Sequence, residues 1–278
     1  MKAENGERKS SFLPRCLNGR YAGRVHSKFK RGINLEFTDC LIHLGVDKAP
    51  LSAMGLNIEE EKMTRLLAAV RIDDIVINKD DALLFYSIQG EMPVAYGNLK
   101  EIDLKLRATA LSRKKITDSF LYRRLEDCEW ESCIGIALDE KTSESVTLLL
   151  QSDKSDAQMN GQLIAFFIGR GKGLTPSGDD ILTGFTLALQ LFGDFAVWRN
   201  SLEKEVAKKR TTSVSLAYLT ALLQGYASEP FITLINALDE EKNQIIEETL
   251  EEIKRLGHTS GSDTLFGLFL GLQFLAKE

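Results

Sequence analysis

Histidine and cysteine are scarce in this sequence of 278 residues, and a long apolar run is missing. The chain has three histidines and four cysteines, and no two of the cysteines form a C-x-x-C pair. We therefore expect no His/Cys metal centre. Without that pair or a signal-peptide pattern, we expect free thiols in a cytoplasmic protein. The longest apolar stretches are interrupted by Thr and Gln or end near a terminus, which argues against a membrane span.

Excess positive charge is also missing. The chain has 35 Lys and Arg against 40 Asp and Glu, a formal net charge of −5. A general nucleic-acid binder needs a basic surface to release counterions, so we expect no nucleic-acid partner. Basic residues crowd locally between Arg15 and Arg31, in a segment that we interpret as a solvated or subunit-contacting arm.

The pattern along the chain predicts an α+β fold with an N-terminal antiparallel β sheet or barrel followed by a C-terminal α-helical domain. Residues 1–22 resemble a basic, disordered arm. Residues 23–106 hold short alternating segments separated by turn residues, with one helix at about 58–70, and this spacing predicts antiparallel strands. Residues 107–278 switch to the helical period. We expect helices over 111–128, 129–138, 153–168, 176–192, 195–209, 214–226, 229–238, 239–255 and 264–276.

Residues 169–189 contain the strongest local signal. Glycines at 169, 171 and 173 allow positive φ, and Thr175-Pro176 reads as an N-cap followed by proline at the first helical position. The run that follows is apolar on nearly every face, so we expect a buried helix whose amino end opens into the interior. Such an end is a natural site for an anion. The alternative is an ordinary loop and cap, with Asp179 and Asp180 complementing the helix dipole.

A degenerate repeat echoes this stretch near the C-terminus. Ser177, Asp180 and Gly184 share their spacing with Ser260, Asp263 and Gly267. Within each set the residues lie at i, i+3 and i+7, on one helix face. We therefore expect two helices to approach through their glycines and to aim their amino ends at one pocket; a plain packing seam would explain the same pattern.

A basic residue precedes each polar turn of this half: Arg170, Arg210 and Arg255. Guanidinium groups bind carboxylate and phosphate bidentately, so three of them at one pocket would suit a dianionic substrate. Basic residues are also favoured in the last turn of a helix, which explains the pattern without a ligand.

With these motifs identified, the sequence resembles the AllH family. Three blocks carry the resemblance, GRGKGLTPSGDDILTG at 169–184, TTSVSLAYLTALLQGYASEPFITLINAL at 211–238 and LGHTSGSDTLFGLFLG at 256–271, with looser agreement at 23–35. Lys172 departs from the family pattern, because proline is common there. The resemblance implies a subunit of an oxamate carbamoyltransferase, which converts oxalurate and phosphate to oxamate and carbamoyl phosphate in anaerobic allantoin breakdown. It also implies FdrA-like and AllG-like partner subunits.

That reaction requires anion contacts and a proton for the leaving nitrogen. The candidate catalytic residues are Asp180, His258 and Asp263, with His258 as the acid. The candidate contacts for a small anionic substrate are Gly171, Lys172, Gly173, Thr175, Ser177, Gly178, Asp179, Arg210, Thr211, Thr212, Thr259, Ser260 and Gly261. We expect no cofactor, although Asp180 and Asp263 could hold Mg²⁺ with substrate oxygens; two buried aspartates that accept cap hydrogen bonds are the alternative.

Three functions remain open at this point. The first is a transferase subunit that binds its substrate at the paired helix starts. The second is a non-catalytic scaffold or partner subunit for an FdrA-like protein. The third is a metal-dependent hydrolase built on Asp179, Asp180 and Asp263.

Overall fold

The computed structural model describes residues 6–193 and 195–277, and the chain divides into two compact units. The first unit comprises the chain up to Lys105 together with Tyr226–Glu229, and the second comprises Leu106–Gly225 and the chain from Pro230 onward. Strands dominate the first unit and helices make up the second. The predicted α+β class, an N-terminal sheet followed by a helical region, is confirmed.

One curled sheet of nine strands forms the first unit within the described residues. Its elements are β1 (Arg8–Ser10), α1 (Leu13–Leu17), β2 (Ala22–Phe29), β3 (Gly32–Phe37), β4 (Cys40–Val46), β5 (Gly55–Ile58), α2 (Glu60–Ala69), β6 (Ile75–Lys79), β7 (Ala82–Ser87), β8 (Gly90–Ala95) and β9 (Lys100–Ile102). The strand order is β8-β7-β6-β2-β3-β4-β5-β1-β9. Most neighbours are antiparallel, whereas β4–β5 and β1–β9 are parallel.

A tight turn formed by two aspartates fixes the register of the β6–β7 hairpin. Lys79 pairs with Ala82 across a two-residue turn in which Asp80 and Asp81 have φ of 52° and 56°. Such a turn needs positive φ at both central residues, a conformation that aspartate tolerates better than most side chains. The turn residues found in the sequence therefore do mark this hairpin.

The N-terminal arm differs from the disordered segment predicted for residues 1–22. Residues 8–17 form β1 and α1, and Leu13 and Leu17 are buried. Arg8 is buried as well, because its guanidinium donates to both carboxylate oxygens of Glu229, at 2.6 and 2.9 Å. The sequence did not indicate this ion pair, because Arg8 and Glu229 lie far apart along the chain.

Helices build the second unit. After a 3₁₀ turn at Arg113–Lys115, they are α3 (Phe120–Glu126), α4 (Trp130–Cys133), α5 (Glu140–Gln151), α6 (Ala157–Phe167), α7 (Ser177–Phe192), α8 (Ala196–Ala207), α9 (Ser213–Leu223), α10 (Glu229–Asp239), α11 (Asn243–Lys254) and α12 (Ser260–Lys277). Nearly every residue of α7 and α12 is buried, as the all-round apolar pattern predicts for the two central helices.

Two predicted helices in this unit were wrong. The segment predicted as helical over 111–128 holds only the 3₁₀ turn and α3, and that over 129–138 holds only the single turn α4. Helix α5 was missed, although Asp139 caps it by accepting a hydrogen bond from the Thr142 N–H. The polar residues at 139–147 dilute the apolar periodicity, so the cap was the available signal.

All four cysteines, Cys16, Cys40, Cys128 and Cys133, are free thiols. Over residues 6–193 and 195–277, no helix combines the length and apolarity needed to cross a membrane.

Candidate active site

Helices α7 and α12 touch through their backbones because glycine occupies the crossing. A Cβ atom built on Gly184 would lie 1.9 Å from the Thr264 carbonyl oxygen, and one on Gly267 would lie 2.1 Å from the Ile181 carbonyl oxygen. Any side chain at either position would push the helices apart. The close approach predicted from the repeated glycine stripe is confirmed.

The amino ends of the same two helices meet. Ser260, the first residue of α12, donates its hydroxyl to Asp180 Oδ2 at 2.6 Å, and Asp180 lies in the first turn of α7. The Ser260 hydroxyl also lies 3.0 Å from the hydroxyl of Thr175, which precedes α7. The two motifs therefore come together as the repeat predicts. We call the side chains of Thr175, Ser177, Asp180, Thr259, Ser260 and Asp263 the helix-start cluster.

Asp263 is the most deeply buried carboxyl of the cluster, with none of its surface exposed. Its Oδ1 accepts the Gly135 N–H at 2.8 Å. Its Oδ2 is buried and accepts no hydrogen bond of normal geometry from the described residues. Burial raises the pKa of Asp263 by more than the Gly135 N–H and the nearby Thr259 and Ser177 hydroxyls lower it. One carboxylate oxygen thus keeps an unused acceptor position.

Gly135 is a site residue that the sequence did not indicate. A Cβ atom at this position would lie 2.5 Å from both the Ser177 and the Thr259 hydroxyl oxygens, so only glycine fits. The helix predicted over residues 129–138 includes position 135 and so gives no sign of this role. It follows Ile134, whose extended ψ of 151° ends α4.

Burial raises the pKa of both carboxyls in the cluster. The pKa of Asp180 lies well above the usual 3.8, because burial and the nearby charges of Asp263 and Asp179 outweigh the lowering effect of the Ser260 and Thr175 hydroxyls. Burial is also the main reason that the pKa of Asp263 is raised. Two carboxyls are therefore held together with a tendency to retain a proton, an arrangement typical of acid–base sites.

Asp179 serves a different group of atoms from Asp180. Its Oδ1 accepts the Gly169 N–H at 2.7 Å, and its Oδ2 accepts the Thr211 hydroxyl. Asp179 therefore ties the glycine loop to the start of α9. Burial raises its pKa too, ahead of the lowering effect of the Thr211 hydroxyl.

The three aspartates consequently do not share one centre. Over the described ranges 6–193 and 195–277, no three His, Cys, Asp or Glu side chains are grouped closely enough to hold a metal ion. The hydrolase hypothesis needs Asp179, Asp180 and Asp263 as a common ligand set, and that set is not assembled.

The glycine loop has the predicted backbone but a different use of its N–H groups. Gly169, Gly171 and Gly173 have φ of 74°, 127° and 91°. Helix α7 begins at Ser177 with Pro176 as its N-cap, one residue later than expected. The Gly178 N–H donates to the Arg170 carbonyl at 2.8 Å.

The second helix start is occupied in the same way, because the Gly261 N–H donates to the Leu256 carbonyl at 3.1 Å. Neither of these two predicted anion donors is therefore free for a ligand. In each case the turn before the helix supplies the carbonyl group that accepts the N–H.

The remaining candidates lie around the cluster. Lys172 is exposed in the loop between Gly171 and Gly173, and His258 is exposed in the turn before α12. Thr212 caps α9 by accepting the Ser215 N–H at 3.0 Å.

Two of the three basic residues that precede the polar turns, Arg210 and Arg170, have partners of their own. Arg210 forms an ion pair with the buried carboxylate of Glu205, so its charge is already committed. Arg170 lies 4.2 Å from the centroid of the Phe166 ring and 3.9 Å from Asp139. The sequence predicts that three guanidinium groups converge on one pocket. Arg210 and Arg170 instead contact the partners named above.

The chain was compared with solved structures and with protein families. No solved structure matches the chain. A family model matches residues 167–272, a range that runs from the end of α6 into α12 and contains every residue of the helix-start cluster but not Gly135. This match confirms the predicted resemblance for that part of the chain, and the family that residues 167–272 match is AllH, described as oxamate carbamoyltransferase subunit AllH.

Proposed function

We propose that the helix-start cluster is the proton-transfer and anion-binding site of an oxamate carbamoyltransferase subunit, in which oxalurate and phosphate react to give oxamate and carbamoyl phosphate. The family description supplies the class of transferase and the status of a subunit. The observation that supports a site here is the pair of buried carboxyls, Asp180 and Asp263, at the joined amino ends of α7 and α12.

The chemistry of the reaction fits this pair. A phosphate oxygen attacks the ureido carbonyl carbon, the bond from that carbon to the inner nitrogen breaks, and the released oxamate nitrogen takes up the proton that phosphate gives up. A carboxyl with a raised pKa can donate that proton, and a second carboxylate with an unused oxygen can accept one. We assign donation to Asp180 and acceptance to Asp263 Oδ2.

Asp180 is better placed than His258 for proton donation. Burial and two neighbouring carboxylates raise the pKa of Asp180 and favour its protonated form. His258 is exposed to solvent in the turn before α12 and lies outside the buried carboxyl pair. The candidate acid therefore moves from His258 to Asp180.

The anion would be held by the surrounding hydroxyl groups and by charge. Thr175, Ser177, Thr259 and Ser260 supply O–H donors around the carboxyls. The amino ends of two helices add partial positive charge, and Lys172 adds a full charge at the exposed loop.

The test is turnover of the reconstituted complex with oxalurate and phosphate, with carbamoyl phosphate as the measured product. Asp180→Asn keeps the shape and an acceptor for Ser260 but cannot donate the proton, so we expect kcat to fall by about 100-fold or more. The matched control is Asp156→Asn, because Asp156 only caps α6 and asparagine caps equally well. Wild-type kcat in Asp180→Asn, or a large loss in His258→Gln with none in Asp180→Asn, would remove this assignment.

A scaffold role for an FdrA-like partner remains the second candidate, because the first unit exposes large apolar side chains on its sheet. Ile75 on β6 and Tyr86 on β7 are 56% and 49% exposed. Both alternate with the buried residues Val76 and Phe85, so they share the solvent face of the sheet. If assembly is the main role, Ile75→Lys abolishes complex formation in a pull-down with the partner, while Asp180→Asn leaves turnover intact.

A further inference from the structure

Two of the four cysteines lie side by side in the first unit. Cys16 is on α1, Cys40 is the first residue of β4, and α1 packs against that strand. The two thiols are in hydrogen-bonding contact, and both are free. They are far apart along the chain, so the fold of this unit brings them together.

The Arg20 guanidinium joins the two segments beside the thiols. Its Nη1 donates to the Cys16 carbonyl at 2.9 Å, and its Nε donates to the Thr38 carbonyl at 2.6 Å. Thr38 and Asp39 form the turn that leads into Cys40, and Asp39 has φ of 52° in that turn. One positive charge is therefore held close to both sulfur atoms, and such a charge favours a thiolate.

The contact makes the two thiols chemically unequal. The hydrogen bond to Cys40 raises the pKa of Cys16, and burial raises it further. The same hydrogen bond lowers the pKa of Cys40 by more than burial raises it, and the Arg20 charge also lowers it. Cys40 is therefore the thiol that ionises first, with the Cys16 S–H as its donor.

Exposure divides the pair in the same way. Cys16 is 7% exposed, whereas Cys40 is half-buried. A reagent from solvent therefore meets Cys40 first, and Cys16 lies next to it as a second, shielded thiol. An accessible thiolate beside a second thiol is the arrangement that oxidants convert to a disulfide.

The cysteines of the second unit are placed differently. The Cys128 thiol donates to the Arg124 carbonyl and the Cys133 thiol donates to the Glu129 carbonyl, each within its own segment. Burial raises the pKa of Cys128. These two cysteines therefore serve as an internal control for reactivity in the same chain.

We propose that Cys40 and Cys16 form a peroxide-sensitive dithiol, in which hydrogen peroxide oxidises Cys40 and Cys16 then closes a disulfide. The Cys40 sulfur attacks a peroxide oxygen, the O–O bond breaks, and the departing hydroxide takes up the thiol proton to leave as water. Cys40 is then a sulfenic acid. The Cys16 sulfur attacks it, the S–S bond forms, the S–O bond breaks, and the hydroxide leaves as water with the Cys16 proton.

In sum, two thiols are oxidised to one disulfide while one peroxide is reduced to two waters. The disulfide ties α1 to the start of β4. The site lies in the first unit and does not depend on the reaction proposed for the helix-start cluster.

Peptide mapping of the full chain tests the proposal, because trypsin separates the two pairs of cysteines. Cys16 falls in peptide 16–20, Cys40 falls in 32–48, and Cys128 and Cys133 fall together in 125–141. The reduced chain is treated with an equimolar amount of hydrogen peroxide, and the remaining thiols are alkylated under denaturing conditions. We expect 16–20 linked to 32–48, with 125–141 doubly alkylated. Dithiothreitol should release both linked peptides.

Variants separate the two steps. In Cys16→Ser the second thiol is missing, so Cys40 should persist as a sulfenic acid that dimedone traps on peptide 32–48. In Cys40→Ser, Cys16 should stay reduced under the same treatment. Both outcomes follow from the assigned order of attack.

The role of Arg20 is tested in the Cys16→Ser background. Arg20→Gln should slow dimedone labelling of Cys40 by at least about threefold, because the charge that favours the thiolate is lost. The matched control is Lys30→Gln, which removes the same charge from an exposed residue in the turn at the other end of β3 and should leave the rate unchanged.

Three results would overturn the proposal: no linked peptide in the wild-type chain, oxidation of 125–141 as fast as that of the Cys16 and Cys40 pair, or equal labelling rates in the Arg20 and Lys30 variants. Should a variant fail to fold, the wild-type map decides alone, because it compares both pairs of cysteines in one chain.

Discussion

The two units bury charge in opposite ways. In the first unit, buried Arg8 faces Glu229, and the two opposite charges compensate each other through two hydrogen bonds. In the second unit, Asp180 and Asp263 bury two groups of the same sign side by side, with hydroxyl and backbone donors as partners. Opposite charges are a structural solution, whereas like charges cost stability and are retained where chemistry needs them. The comparison therefore points to the second unit for function.

The largest expected effect comes from disrupting the glycine contact between α7 and α12, the two helices that carry Asp180 and Asp263. Gly184→Ala places a methyl group 1.9 Å from the Thr264 carbonyl oxygen, so we expect a loss of about 3 kcal/mol or more in the free energy of unfolding. Urea denaturation measures it. The matched control is Gly161→Ala in α6, where the added methyl meets no atom within 4 Å and should stabilise by about 1 kcal/mol. Equal effects at the two glycines would contradict the tight crossing.

Removing one member of the opposite-charge pair should have the next largest effect. Arg8→Met leaves Glu229 partly buried without its cation, and we expect a loss of about 2–3 kcal/mol. The control is Arg24→Met, because Arg24 is exposed and pairs with Glu36 and Asp73 on the surface. That change should cost far less than Arg8→Met in the same urea titration, because solvent screens an exposed ion pair. A similar cost for both variants would show that burial does not set the value of these pairs.

Neutralising one like charge should have the smallest effect and the opposite sign. Asp180→Asn removes a carboxyl whose folded-state pKa is raised by burial, so at pH 8 we expect the variant to be more stable than the wild type. A raised pKa stabilises the fold fully below the unfolded value of 3.8, and that stability is lost as pH rises through the folded value. The advantage of the variant should therefore grow from about pH 4 upward and then level off. Denaturation at a series of pH values measures this, and a constant difference would refute the raised pKa.

The sequence was most informative for the contact between α7 and α12, because the helical period alone determines which of their residues share a face. The spacing of Ser260, Asp263 and Gly267 sets one face of a helix, and the glycine in each motif allows backbone contact, so the pairing of α7 and α12 was predictable. Strands and turns in the first unit followed from alternation and from residues such as Asp80 and Asp81.

Contacts between distant segments were not predictable. Gly135 reaches Asp263 across 128 residues of sequence, and no local pattern marks that hydrogen bond. Asp179 and Asp180 are adjacent in sequence, yet one accepts from Thr211 and the other from Ser260, which only the packing of α9 and α12 decides. The Gly178 and Gly261 N–H groups were predicted to hold an anion, but the preceding turns supply carbonyl acceptors for them.

The position of Gly135 outside the matching range 167–272 has a practical consequence for anyone who would trim this chain. A fragment cut to those boundaries keeps Asp180 and Asp263 but loses the amide that steadies Asp263 Oδ1. Asp263 would then lack its main-chain hydrogen-bond donor. Inactivity of such a fragment would therefore not be evidence against a catalytic role of Asp180 and Asp263. The smallest piece worth assaying begins upstream of α4.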